Sequence, residues 1–117
     1  MLPRRRLRQR PRRSRLKTKD DTVNIRDLDI TLKMALQQIE YVYSKFNTEL
    51  VITSGKDGQH GIGSLHYEGK AVDLRTWNVL DSLVKALKAH LGADYDIVLE
   101  SDHIHVEWDP KHDRQVR

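Results

Sequence analysis

Apolar side chains recur at helical spacing in two stretches of the chain. The first stripe lies between residues 27 and 47 and consists of Leu28, Leu32, Ala35, Leu36, Ile39, Tyr43 and Phe46. The second consists of Leu80, Leu83, Val84, Leu87 and Leu91, with Asn78 placed to cap a helix and Gly92 just past its end. A stripe with this period is typical of an amphipathic helix that buries one face. We therefore expect two main helices, over about 27–47 and 78–91.

Four short stretches have the composition or the alternation of β-strands. Residues 49–53 are rich in β-branched side chains, and polar and apolar side chains alternate along 70–75. Residues 96–100 and 103–108 are separated by a turn so tight that these two strands must pair antiparallel. The order helix, strand, loop, strand, helix, hairpin is an α+β pattern. We expect a small antiparallel sheet with two main helices.

A long loop joins the first two predicted strands. It carries five glycines between Gly55 and Gly69 and no apolar pattern. Long loops without secondary structure in a small domain are usually functional. This loop lacks the Gly-Lys-Ser/Thr ending of a P-loop, and no helix follows it at once, so the sequence disfavours nucleotide binding.

Charge divides the chain of 117 residues into two unequal parts. Ten of its 21 Lys and Arg residues precede Asp20, whereas all 17 acidic residues lie from Asp20 onward. The second part therefore has 11 cationic against 17 acidic side chains, a formal charge of −6. Like charges repel and few apolar residues accompany the arginines, so we expect a disordered basic tail at 1–19 and one domain at 20–117. The tail could contact an anionic polymer.

Cysteine and long apolar runs are both absent from the sequence. The chain has no cysteine, which excludes disulfides and thiolate metal ligands. No apolar run approaches the roughly 20 residues that a membrane-spanning helix needs. The basic amino terminus is not followed by an apolar segment, so we expect neither a membrane span nor a secretory signal peptide.

Imidazoles and carboxylates are concentrated in two segments, from Ser64 to Asp73 and at residues 102–108. If the polar rows of the two strands share one sheet face, Asp73 and His105 converge, and His66 at the end of the loop can reach the same point. A carboxylate with two imidazoles makes a three-ligand Zn²⁺ site with an open position for water. The alternative from spacing alone is an exposed histidine pair beside a solvated aspartate.

The pattern S-x-H-x-x-G-x-A-x-D from Ser64 to Asp73 is followed about 30 residues later by a carboxylate and His105. This arrangement resembles the zinc D,D-carboxypeptidase family. That family includes D-alanyl-D-alanine carboxypeptidases, vancomycin-resistance D,D-dipeptidases and phage L-alanyl-D-glutamate endolysin peptidases, and the Hedgehog signalling domain shares its fold. The resemblance covers about residues 27–110. It implies a Hedgehog/DD-peptidase-like fold, with Zn²⁺ held by His66, Asp73 and His105.

The resemblance also implies catalytic and substrate-binding residues. A general base is expected shortly before the last ligand, where Asp102 has the preferred spacing and Glu100 is the rival. His103 matches a histidine that precedes the ligand by two residues in some members, where it could stabilise an oxyanion. The family tends to place an arginine for the substrate carboxylate just after the first strand. Here Lys56 is the nearest cation, and Arg75 is the alternative.

From these residues we expect a zinc metallopeptidase that hydrolyses peptide bonds in the peptidoglycan stem, with a metal-activated water as the nucleophile. The bond could be D-Ala-D-Ala, as for a carboxypeptidase, or L-Ala-D-Glu, as for an endolysin. The alternative is a metal-binding adaptor or structural module without catalysis, for example in a phage particle. A nucleic-acid-binding function would rest on residues 1–19 alone.

The same reasoning gives an expectation for assembly and location. We expect a monomer that is made in the cytoplasm and acts on the cell wall if it is exported or released. Its expected partners are the peptidoglycan stem peptide and, through residues 1–19, an anionic polymer.

Overall fold

The computed structural model describes residues 16–58, 63–76, 79 and 81–110. Two α-helices, five strands and one four-residue 3₁₀ helix lie within this part of the chain. In chain order they are β1 (Lys17–Thr18), α1 (Ile30–Lys45), β2 (Val51–Ser54), the 3₁₀ helix (Leu65–Glu68), β3 (Ala71–Arg75), α2 (Asp81–Leu91), β4 (Tyr95–Leu99) and β5 (His103–Trp108). The expected α+β class is confirmed.

The five strands form one sheet in the order β1-β2-β3-β5-β4. Its β2–β3, β3–β5 and β4–β5 pairs are antiparallel, as predicted. The exception is β1, which pairs parallel with β2 at one edge and makes the sheet mixed. The two strands that carry the predicted ligands, β3 and β5, are neighbours at the centre of the sheet.

Strand β1 lies inside the segment 1–19 that the charge pattern predicts as a tail. The backbone N–H of Lys19 donates to the carbonyl of Ile52 at 2.9 Å, and Leu16 packs against the core. The alternation of side chains does not reveal β1, because backbone pairing with β2 does not need an alternating side-chain pattern. The arginine-rich residues 1–15 lie outside the described part of the chain.

Helix α1 has a signal at each end. The Asp29 carboxylate accepts a hydrogen bond from the backbone N–H of Thr31 at 2.9 Å, which satisfies one free donor of the first turn. The helix ends at Lys45, and Asn47 takes a left-handed conformation with φ of 55°. The short polar side chain of Asn47 tolerates that conformation, which suits a residue just past a helix end.

Helix α2 is the second of the two expected helices. Its first residue is Asp81, whose carboxylate lies near the positive end of the helix dipole. Gly92 follows the last turn with φ of 89°, and its N–H donates to the carbonyl of Lys88 at 3.1 Å. This is the predicted glycine stop. The expected cap, Asn78, lies outside the described residues.

One face of the sheet is buried against both helices. The core contains Leu32, Leu36, Ile39 and Tyr43 of α1, Leu83 and Leu87 of α2, and Ile52, Val72, Leu74, Ile104 and Val106 of the sheet. Because side chains alternate along a strand, the residues between these apolar ones point to the opposite face. That polar face carries the candidate site. No helix in the described ranges is long and apolar enough to cross a membrane.

Candidate metal centre

The register of β3 and β5 brings the predicted ligands together. Asp73 pairs with His105, and Arg75 pairs with His103. Directly opposed residues of an antiparallel pair share one face and have Cβ atoms about 5 Å apart. The two polar rows therefore lie side by side on the face away from the helices, as the alternation predicts.

His66 enters the cluster from the 3₁₀ helix that ends the long loop. The Ser64 hydroxyl caps this helix by accepting from the N–H of His66 at 3.1 Å, and Gly69 ends it with φ of 72°. His66 is 2% exposed and is the one buried polar residue in the described part of the chain. Its Nε2 atom lies 3.2 Å from Oδ1 of Asp73.

The other ring nitrogen of His66 has a fixed backbone partner. Nδ1 lies 2.8 Å from the carbonyl oxygen of Gly55. A carbonyl only accepts, so Nδ1 carries the proton. Gly55 itself lies close to the backbone of Asn24, since a Cβ on Gly55 would lie 2.3 Å from the carbonyl oxygen of Asn24. The Asp57 carboxylate also accepts hydrogen bonds from the N–H of Asn24 and the N–H of Gly55. Nε2 is therefore the nitrogen that His66 directs at Asp73.

His105 lies between two carboxylates. Its Nδ1 is 3.0 Å from Oδ1 of Asp73, and its Nε2 is 2.7 Å from Oε1 of Glu107. The side chains of Asp73, His105 and Glu107 are 14%, 19% and 20% exposed, so water screens these contacts weakly. The rings of His66 and His105 are tilted, with centroids 5.2 Å apart.

The titration of the cluster reflects these contacts. Burial alone would raise the pKa of Asp73, but the hydrogen bonds from His105 and His66 outweigh it and leave the pKa well below its ordinary value. The hydrogen bond to Asp73 raises the pKa of His105 to about 9; burial opposes this rise and the bond to Glu107 adds to it. Without a metal, the cluster is held by positive charge on imidazole next to carboxylate.

The possible ligand atoms of the same cluster lie close together. One ligand atom from each of His66, Asp73 and His105 lies within 4.8 Å of the others. Two ligands bound tetrahedrally at the usual zinc distances would be about 3.3 Å apart. The separations of 3.2 Å and 3.0 Å between the histidine nitrogens and Asp73 Oδ1 are close to that value. The cluster could hold a metal ion.

The two carboxylates considered for the general base are placed differently. Oδ1 of Asp102 lies 2.7 Å from Nδ1 of His103, while Nε2 of His103 lies 3.7 Å from Oδ1 of Asp73. The His103 ring thus stands between Asp102 and the cluster, and the Asp102 side chain is 85% exposed. The N–H of Glu100 donates to the carbonyl of His103 at 2.8 Å, directly after the end of β4.

The two cations considered for substrate binding also differ in position. Arg75 lies on the polar face, directly opposite His103. Lys56 is exposed, and its positive charge contributes to lowering the pKa of Asp27, after the larger effect of the Asn24 hydrogen bond. Lys56 therefore lies within electrostatic reach of Asp27, and Arg75 is the cation that shares the face of the cluster.

The structure adds two groups that the sequence reasoning does not assign to the site, the Gly55 carbonyl and the Glu107 carboxylate. Glu107 could have been found, because it follows His105 by two residues on the same strand face. The sequence gives no indication of the Gly55 carbonyl, since every residue has a backbone carbonyl. Of the other histidines, His90 is exposed on α2, whereas His60 and His112 lie outside the described residues.

Comparison with known proteins does not assign the chain to a family. A scan against protein-family models finds no matching family, and a search of curated proteins finds no match.

Proposed function

We propose that the protein is a zinc-dependent peptidase that hydrolyses peptide bonds in the peptidoglycan stem. The observation that carries this proposal is the convergence of His66, Asp73 and His105 on one polar sheet face. These are the three residues that the resemblance to the D,D-carboxypeptidase family names as ligands. The α+β fold, with Asp73 and His105 on neighbouring strands and His66 on the 3₁₀ helix, is compatible with the Hedgehog/DD-peptidase-like fold that the resemblance implies.

The ligand set supports zinc as the ion. Two imidazoles and one carboxylate suit Zn²⁺, and three protein ligands leave a fourth position open. A bound zinc ion supplies a water whose pKa is lowered to about 7 and a positive charge that polarises a carbonyl. The protein supplies the rest of the chemistry, namely proton transfer and the placement of the substrate.

We assign proton transfer to the pair of Asp102 and His103. The Asp102 carboxylate is hydrogen bonded to one nitrogen of His103, and the other nitrogen is directed toward Asp73. The carboxylate fixes the orientation of the ring. In this arrangement His103 would take the proton of the attacking water, and the Asp102 carboxylate would balance the charge. The ring is also close enough to the cluster to donate to a developing oxyanion.

Arg75 is the better placed cation for a substrate carboxylate. Stem peptides carry free carboxylates, and a planar guanidinium can bind a carboxylate through two parallel hydrogen bonds. Arg75 lies next to the proposed proton-transfer residue His103 across the β3–β5 pair. Lys56 lies near Asp27, and we assign it the lesser role.

The experiment is a zinc titration followed by digestion of purified sacculi. We expect about one Zn²⁺ per chain, release of peptide fragments from the sacculi, and loss of that release with a chelator. His66→Ala, Asp73→Ala and His105→Ala should each weaken zinc binding sharply. His90→Ala, which removes an exposed histidine of α2, is the matched control and should change nothing. Zinc binding without any release would favour the adaptor alternative, and full zinc content in Asp73→Ala would refute the site.

The identity of the proton-transfer groups has its own test on defined stem peptides. Asp102→Asn should keep zinc and lose about 10²- to 10⁴-fold in rate, because the amide cannot stabilise a protonated His103. Glu100→Gln is the matched control and should stay active. The reverse result would make Glu100 the base. Mass spectrometry of the products identifies which bond is cut.

A further inference from the structure

The two histidines of the cluster direct different ring nitrogens at Asp73. His66 presents Nε2, because its Nδ1 proton is given to the Gly55 carbonyl. His105 presents Nδ1, because its Nε2 lies 2.7 Å from the Glu107 carboxylate. A metal ligand must offer a lone pair, and the partner of the other nitrogen decides which lone pair is free.

Strand geometry holds Glu107 in place beside His105. The two residues are two apart on β5, so both side chains point to the polar face. Glu107 lies between Ala71 on β3 and Asp96 on β4 in the sheet register. Ala71 is fully buried and has a small side chain, which leaves room for the longer side chain of Glu107 beside it. With 20% exposure, the carboxylate is partly withdrawn from water, and its bond to His105 is correspondingly stronger.

We infer that Glu107 is a positioning residue that fixes the ring orientation and tautomer of His105, so that Nδ1 of His105 is the nitrogen free to meet a metal alongside Nε2 of His66. This inference rests on the metal site of the proposed function and goes beyond it, because it assigns a role to an additional carboxylate. Glu107 accepts the Nε2 proton and so leaves the lone pair on Nδ1. Its negative charge also raises the basicity of the ring as a ligand.

The sequence contains a matched control for Glu107. Glu68 follows the other histidine ligand, His66, by two residues, but its carboxylate lies 3.3 Å from the ammonium of Lys70 and is 55% exposed. Both glutamates thus have the same spacing to a ligand. Glu107 contacts the ring of its histidine at 2.7 Å, whereas Glu68 forms an exposed ion pair with a lysine.

The first measurement uses the unmodified chain. In the zinc-bound protein labelled with ¹⁵N-histidine, long-range ¹H–¹⁵N spectra distinguish the metal-bound nitrogen from the protonated one in each ring. We expect a protonated Nδ1 in His66 and a protonated Nε2 in His105. Zinc bound through Nε2 of His105 would overturn the inference while leaving the peptidase proposal intact. A chain that binds no zinc would overturn both.

The second measurement is zinc affinity by competition with a chromogenic chelator. Glu107→Ala should weaken zinc binding by about 10- to 100-fold, the usual effect of removing such a partner. Glu107→Gln keeps an acceptor oxygen without the charge and should lose less. Glu68→Ala should bind like the unmodified chain. Equal affinity for Glu107→Ala and the unmodified chain would overturn the positioning role, and hydrolysis is not part of either readout.

Discussion

Oδ1 of Asp73 lies within hydrogen-bond distance of His66 and His105 and 3.7 Å from His103. A carboxylate oxygen and a neutral imidazole lone pair are both acceptors, so a proton or a metal ion must lie between them. The metal-free protein meets this need by protonating an imidazole. Proton and metal therefore compete for the same space, and this competition makes the stability of the protein depend on pH.

Protonation of His105 stabilises the fold of the metal-free protein. The pKa of His105 rises from 6.5 in the unfolded chain to about 9 in the fold. The stabilisation is therefore complete below about pH 6.5 and is lost as the pH rises through 9. For Asp73, whose pKa is lowered from 3.8, the contribution is present above that value and is lost as the pH falls below it. We expect urea unfolding in chelator to show greatest stability between about pH 4 and 6.5.

The loss of unfolding free energy between about pH 6.5 and 9.5 should be on the order of 2–3 kcal/mol, because a tenfold change in the proton affinity of one group is worth about 1.4 kcal/mol. His105→Gln is the control and should remove most of this slope. A metal-free protein with no change in unfolding free energy across that interval would contradict the arrangement. With zinc present the slope should reverse, because the ion requires deprotonated ligands.

The hydroxyl group of Tyr43 is buried. The side chain is 1% exposed, and the hydroxyl has no hydrogen-bond partner among the described residues. Burial raises the pKa of this phenol. An unsatisfied buried hydroxyl costs about 1–3 kcal/mol. We expect the unfolding free energy of Tyr43→Phe in urea to be equal to that of the unmodified chain or higher by up to about 1 kcal/mol.

The control for Tyr43 is a truncation of its ring. Tyr43→Ala leaves a cavity and should cost about 3–5 kcal/mol. If Tyr43→Phe instead lost more than about 1 kcal/mol, the hydroxyl would have to make a hydrogen bond that stabilises the fold.

The three residues of the cluster could be predicted from the sequence because each lies at a position that local rules constrain. Asp73 and His105 follow from period-two alternation, and His66 follows from its place in the motif. The alternation also places Glu107 on the face of His105, but its contact with the ring of His105, like that of the Gly55 carbonyl with His66, depends on which way the ring turns. A ring orientation is set by packing in three dimensions and leaves no periodic trace in the sequence.

Among the elements, the helices and most strands could be predicted from periodicity. Two short elements, β1 and the 3₁₀ helix, could not. β1 has two residues and no alternation to detect. The 3₁₀ helix has four residues within a glycine-rich segment, which predicts a loop. Each is held by contacts with distant segments, β1 by β2 and the 3₁₀ helix by the turn before α1. A local sequence pattern does not predict contacts between segments that are distant in the chain.

The contact between the 3₁₀ helix and the turn before α1 passes through Gly69. The Gly69 carbonyl accepts from the N–H of Asp29 at 2.9 Å, and a Cβ on Gly69 would lie 3.0 Å from backbone atoms of Asp27 and Asp29. We expect Gly69→Ala to be strongly destabilising, because it adds crowding to the roughly 1–2 kcal/mol strain of a left-handed alanine. Urea unfolding of the metal-free protein measures this cost.

Gly92 provides the comparison for Gly69. It has φ of 89°, but a Cβ there would meet nothing within 4 Å. Gly92→Ala should therefore cost only the strain, about 1 kcal/mol, and leave zinc affinity unchanged. Gly69→Ala should cost at least twice as much and weaken zinc binding, because Gly69 ends the helix that carries His66. Equal costs for the two variants would show that the close approach does not matter.

At the scale of the whole molecule, one sheet serves both the core and the site. Val72 and Leu74 on β3, with Ile104 and Val106 on β5, are fully buried toward the helices. Their burial fixes the intervening Asp73 and His105 on the opposite face, because a slip of one residue would exchange the two faces. The hydrophobic core therefore sets the register that brings Asp73 and His105 together. This link between core and site explains why a pattern of apolar residues could predict a polar cluster.

The amino-terminal region divides into a part that completes the sheet and a part outside the described residues. Leu16 packs on the core, β1 pairs with β2, and the Lys17 ammonium lies 2.9 Å from the Glu49 carboxylate. We expect deletion of residues 1–15 to change the unfolding free energy by less than about 0.5 kcal/mol, because it keeps these contacts. Deletion of residues 1–19 removes them and should cost about 1–3 kcal/mol.

The same pair of truncations separates stability from polymer binding. All eight arginines of the basic segment lie within residues 1–15, so the shorter deletion already removes them. Binding to an anionic polymer should weaken in both truncated proteins and lose most of its salt dependence. Both should keep their affinity for zinc, because the cluster is built from β3, β5 and the 3₁₀ helix. Equal destabilisation by the two deletions would mean that residues 1–15 contribute to the fold. Undiminished polymer binding by the shorter deletion would place the anion-binding surface on the domain itself.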